Sequence, residues 1–189
     1  MARATKKSPK SKQRSPKPAA KPKSPPPSNP DPAAELRKQL AAFLETSEAH
    51  ASWRDSFAEM PPNLRGAKFH GSPHTPWQLL EHLRIAQWDI LEYSRDAKHV
   101  SPEFPLGYWP TTPAPPDDAA WDASVKSFRH DVDEIRKLLL DPKTDLFAKI
   151  PHGSGQTILR EALLILDHNA YHLGQLVLLR RLLDAWPTQ

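Results

Sequence analysis

The sequence predicts an all-α protein, a four-helix bundle with a long crossover between its second and third helices. Three observations predict it. Apolar residues recur at three- and four-residue spacing in four separate segments, capping residues and prolines punctuate those segments, and no stretch shows the two-residue alternation of a strand. No internal repeat is visible.

The first helix opens at Asp31-Pro32, a capping carboxylate followed by proline at the first helical position, with Glu35 in the first turn. Leu36, Leu40, Phe43, Leu44 and Ser47 continue the spacing, which predicts a helix to about Phe57, stopped by Pro61-Pro62. The second starts at Thr75-Pro76 and runs through Trp77, Leu80, Leu83, Ile85 and Ile90 to about Ala97. A proline-rich connection follows, and its Phe104, Tyr108 and Trp109 make it too apolar for a free linker. It is expected to pack on the bundle and cover one end. The third helix opens near Pro116-Asp117-Asp118 and runs through Trp121, Val125, Phe128, Val132, Ile135 and Leu139, ending before Pro142. The fourth opens after Gly153-Ser154-Gly155 and continues to about Ala185, ahead of Pro187. Four amphipathic helices with one long connection describe a bundle.

Composition sets the limits. Hydrophobic residues make up 38% and charged residues 25% of the 189, which suits one soluble domain with some extra length. The net charge of +4 is unevenly placed. Nine of the 26 basic residues fall in residues 1–30 with no acid, leaving 17 against 22 acidic residues in the remainder, a net of −5. Residues 1–31, dominated by Lys, Pro, Ser and Ala, read as a disordered basic tail; residues 32–186 form the bundle. Weak, salt-sensitive binding of nucleic acid by residues 1–30 is one expectation, through charge alone because the tail has no aromatic residue for stacking. A plain solvated extension is the other. There is no cysteine, so a metal would be held by nitrogen and oxygen ligands. Without an apolar region behind the basic start, or a long apolar run, a cytoplasmic protein with no membrane partner is expected.

The fourth helix contains His168 and His172, four residues apart and therefore one turn apart on one face, with Leu164, Ile165, Gln175, Leu176 and Leu179 on or beside it. Imidazoles on an apolar stripe need partners for both ring nitrogens, and a shared divalent ion satisfies one nitrogen of each. Such a pair is common on helix surfaces and does not specify a metal by itself. His82, in the strongly apolar second helix, supplies a third imidazole that a bundle can bring to the other two.

Other residues carry weaker readings. His50 falls on the core side of the first helix, as a substrate contact or a hydrogen-bonded core histidine. Glu81, next to His82, is a candidate general base or a solvated acid. Asp167 either orients a ligand imidazole from a neighbouring helix or meets solvent. His74 precedes the second helix without an evident role. His152 heads the fourth helix, where a helix N-terminus can receive an anion, although a turn capped by Thr157 or Ser154 is simpler. Trp88, Tyr93, Trp121 and Tyr171 read as core aromatics. Asp89 and Gln175 are the residues that could add a fourth ligand.

The stretch HTPWQLLEHLRIAQWD from His74 to Asp89, with DHNAYHLGQL from Asp167 to Leu176, resembles the DinB/YfiT-like superfamily. Trp77-x4-His82 and His168-x3-His172 match its histidine motifs, and helix order and length extend the resemblance over roughly residues 32–186. The resemblance implies a four-helix bundle, a His82, His168 and His172 metal site, and a divalent ion such as nickel, zinc or iron. It also implies an enzyme acting on a small-molecule substrate, as a thiol S-transferase or isomerase using a low-molecular-weight thiol, or as a hydrolase. With no cysteine in the chain, the thiol would be a cosubstrate. The alternative is a non-catalytic, metal-stabilised, stress-related binding module whose tail contacts nucleic acid. A metal-free dimerising scaffold is a third, and a homodimer is a further expectation.

Overall fold

The computed structural model describes residues 31–46 and 49–187, so of the segment assigned to the basic tail, residues 1–31, all but Asp31 lies outside the described residues. Among these there are five α-helices and no strand: α1 (Pro32–Glu45), α2 (Trp53–Phe57), α3 (Pro76–Arg95), α4 (Asp118–Leu140) and α5 (Ile158–Leu182). The long helices α1, α3, α4 and α5 make the bundle, and α3 packs on both α4 and α5. No described helix is long and apolar enough to cross a membrane.

Start signals fix the register. Asp31 accepts the Ala33 N–H at α1, Asp117 the Ala120 N–H at α4, and Thr157 the Arg160 N–H at α5. Helix α3 has a full capping box: the Thr75 hydroxyl accepts from the Gln78 N–H, while the Gln78 side chain accepts from the Thr75 N–H. The core is apolar and closed, with Leu80, Leu83, Phe128, Leu146 and Leu176 wholly buried.

One predicted helix is two. The first helix does not reach Phe57: backbone at Thr46 turns extended (φ −125°, ψ 136°), and α2 begins afresh behind a Ser52/Asp55 capping box. The apolar spacing of α1 ran on into a segment whose Ser52-x-x-Asp55 is itself a start signal. Residue Ser47, counted in that spacing, lies outside the described residues. Helix α2 is then free to turn Trp53 and Phe57 onto Phe128, at ring-centroid distances of 5.7 and 5.2 Å. Arg180, near the end of α5, is fully buried behind it.

The crossover packs on the bundle as its apolar content implied. A 3₁₀ turn (Leu106–Tyr108) lies against α3, the Thr75 hydroxyl donates to the Pro113 carbonyl at 2.6 Å, and a Cβ on Gly66 would fall 2.4 Å from the Ala114 Cβ. Only glycine lets those two loops touch.

Candidate metal centre

Two helices and the crossover build the centre. The capping box and Pro76 set α3 so that His82 faces α5, and the i, i+4 pair of α5 faces back. His82 Nε2 lies 3.1 Å from His172 Nε2 and 3.0 Å from His168 Nε2, and a ligand nitrogen of each ring falls within 4.8 Å of the others. Among the described residues this is the group of His, Asp and Glu side chains arranged to hold an ion.

The tautomers follow from the outer bonds. His82 Nδ1 is 2.9 Å from the Tyr108 carbonyl oxygen, which only accepts, so Nδ1 carries the proton and Nε2 the lone pair. His172 Nδ1 likewise donates to Gln175 Oε1 at 2.9 Å. Lone pairs therefore face one another at the centre, an arrangement that repels unless a cation lies between them. Nitrogens bound to one ion at ~2.0–2.1 Å sit ~2.9–3.4 Å apart for bond angles from octahedral to tetrahedral. The two separations from His82 fit. Burial pushes His82 and His168 down to about 4 and lowers His172, so all three rings are neutral at pH 7, the form a metal needs.

The crossover forms a wall of stacked rings. Trp109 lies 3.8 Å from His82 at 3° between planes, and His74 stacks on the other side of Trp109 at 3.8 Å and 13°. His74, without an evident role in the sequence, thus closes a His74–Trp109–His82 stack. Behind the triad, Asn169 donates to Gln87 Oε1 and Gln87 donates to the Phe128 carbonyl, both at 2.9 Å, joining α5, α3 and α4.

Neither suggested fourth ligand points inward. Asp89 accepts from the Tyr108 hydroxyl at 2.6 Å and is paired with His99 at 2.7 Å, holding the crossover down. Gln175 orients His172 from outside. Glu81 is engaged elsewhere, by Arg84 through two bonds of 2.7 and 2.8 Å. Burial opposes its charge, but bonds from Arg84 and Ser124 outweigh it and hold the carboxyl below its ordinary range.

The remaining readings divide. His50 is not on the core side of a helix: it lies beyond α1, exposed, with Nδ1 2.9 Å from the Ala51 carbonyl. Asp167 is exposed on the outer face of α5. His152 donates to the Tyr93 carbonyl at 2.7 Å, while Thr157 caps α5. Trp121 is a core residue and Tyr93 packs against the core, but Trp88 and especially Tyr171 are exposed. Tyr108 and Trp109 had no signal beyond their apolar character.

Beside the centre, Phe69, His74, Leu79, Gln175, Leu178 and Leu182 line a groove of about 330 Å³. His74 and Gln175 thus belong both to this groove and to the surroundings of the triad.

The chain has no match among curated proteins or among solved structures. The model of one family matches residues 45–176, more than half of the chain, and that span contains α2, α3, α4 and all three converging histidines. The protein belongs to the DinB superfamily.

Proposed function

We propose that the protein is a metal-dependent enzyme whose His82, His168 and His172 hold one divalent ion, of nickel, zinc or iron, with positions left open to a small-molecule substrate. The observation that carries this reading is the convergence of three imidazole nitrogens, with Asp89 and Gln175 both engaged elsewhere. When bound, such an ion lowers the pKa of a thiol or water and polarises a carbonyl. The chain's own residues do the rest. The Tyr108 carbonyl and Gln175 aim two imidazoles, Trp109 shields His82 from water, and the apolar groove takes the remainder of the substrate. Because the chain has no cysteine, a low-molecular-weight thiol would enter as cosubstrate, for transfer to an electrophile; hydrolysis of a small substrate is the other reaction of this class.

Metal analysis of the purified full chain beside His168→Ala tests the site. One equivalent in the wild type and near none in the variant is expected; a metal-free wild type that takes up no added nickel, zinc or iron would sink the proposal. A screen of thiols with electrophilic acceptors, and of ester and amide substrates, then tests the reaction. A loaded protein inert in both would leave the ion a structural part.

A further inference from the structure

The groove beside the triad follows the seam between α3 and α5. Leu79 stands about one turn before His82 on α3, and Gln175, Leu179 and Leu182 follow His172 on α5 at about one, two and three turns. The stripe of α5 that carries the imidazoles therefore continues as a wall of the groove. The loop from Phe69 to His74 supplies another wall.

Two features decide what this groove can hold. The first is its lining, which contains no Asp, Glu, Lys or Arg but five large apolar side chains, Phe69, Leu79, Leu178, Leu179 and Leu182. Phe69, Leu178 and Leu182 are still 38%, 59% and 45% exposed, apolar area that an occupant would remove from water. The second is where its polar groups stand. Gln175 accepts from His172 at 2.9 Å, and His74 stacks on the Trp109 that stacks on His82, so both mark the end of the groove next to the triad. On the loop wall, the Ser72 hydroxyl is spent on the His74 carbonyl at 2.6 Å, and His70 is exposed. A groove that is polar beside a bound cation and uncharged beyond it is complementary to an amphiphile, with a donor head at the ion and a hydrocarbon tail along the leucines. The chain's own residues 1–30 cannot supply that tail, since they contain no Leu, Ile, Val, Phe, Trp or Tyr.

Helix rise sets the length of the tail. Gln175 to Leu182 is seven residues, a span of ~10 Å, and an extended chain covers ~1.2 Å per bond. About eight carbons fill that span. We propose that, with the divalent ion proposed above in place, the groove is the subsite for an unbranched aliphatic tail of about this length. The substrate is then a medium-chain acyl or alkyl compound whose metal-binding head lies at the triad, and Leu178 and Leu182 set the preference for its tail.

Alkyl hydroxamates test this on the zinc-loaded full chain, because a hydroxamate grips the ion whatever its tail. Isothermal titration calorimetry from acetohydroxamate to dodecanohydroxamate is expected to show affinity rising about fourfold per methylene and levelling off near eight carbons. Leu178→Asp, at an exposed position, should flatten that rise, with acetohydroxamate affinity, zinc content and helicity by circular dichroism unchanged. A chain that takes up no zinc overturns the metal reading and the subsite with it. A loaded chain that binds none of the series has no open metal position, and the subsite falls. A loaded chain that binds acetohydroxamate but gains nothing from longer tails, gains without limit through the dodecyl chain, or gains as much in Leu178→Asp, overturns the subsite alone.

Discussion

Helix α5 carries two buried polar clusters that solve opposite halves of one electrostatic problem. Near its C-terminus, Arg180 is fully buried and donates to the Ala185 carbonyl at 3.1 and 2.7 Å, the Asp55 carbonyl at 3.0 Å and the Ser56 carbonyl at 2.9 Å. Converging lone pairs meet a positive charge that the chain itself supplies. Burial lowers the Arg180 pKa, yet a guanidinium keeps its proton throughout the physiological range. Two turns back, three imidazole nitrogens converge, the lone pairs of His82 and His172 among them, and among the described residues no cationic side chain is seen directed at them. One cluster is complete on folding. The other is complete only when a positive ion is added, which is the physical difference between a strut and a binding site.

The comparison is broken most forcefully at Arg180. Replacing it by leucine strips donors from two buried carbonyls and one part-buried one and should cost ~3–5 kcal/mol, a fall of roughly 10 °C in melting temperature, while the folded variant keeps its metal. Denaturant unfolding within ~0.5 kcal/mol of the wild type would make the cluster decorative. At the triad the same logic predicts the reverse pattern. Gln175→Leu removes the acceptor for His172 Nδ1–H and should weaken zinc binding ~10–100-fold with little effect on metal-free stability. A chelator-competition titration that finds equal affinity would show that His172 needs no such guide.

The smallest effect is in acid. In the metal-free protein His82 and His168 are depressed from 6.5 to about 4. The unfolded chain therefore binds more protons between these values, and their contribution to stability, full above pH 6.5, is lost as pH falls toward 4. Asp131 opposes them. Burial raises it from 3.8 to about 6, so its contribution is present at low pH and lost as pH rises through 6. Asp131→Asn removes that counterweight, and urea midpoints measured from pH 7 to 4 should fall more steeply in the variant than in the wild type. Parallel curves would mean that Asp131 does not titrate against the histidines.

How much of this was legible depends on the range of the interactions. Thr75-Pro76-x-Gln78 and Asp117 are local signals, and the helices start where they say. The His168, His172 face is local too, since four-residue spacing suffices to align the rings. The break after Glu45 was missed because apolar periodicity persists through it while Ser52 and Asp55 restart the chain. Arg180 looked like a surface cation near a helix end, and only the packing of α2 buries it. Tyr171, read as a core aromatic, stands outside because the interior side of α5 is taken by its histidines and leucines. Trp109 stacks on His82 from 27 residues away, a juxtaposition no spacing encodes.

That last contact sets a rule for the crossover. Neighbouring residues, Tyr108 through its carbonyl and Trp109 through its indole, grip one imidazole from two directions. Surface connections ordinarily tolerate added or deleted residues, but a single insertion between Asp96 and Tyr108 would shift the register by one, setting Gly107 and Tyr108 where the Tyr108 carbonyl and the Trp109 indole now meet His82. This connection is irregular in backbone, yet its two contacts to His82 make its residue count matter, as much a ruler as a loop.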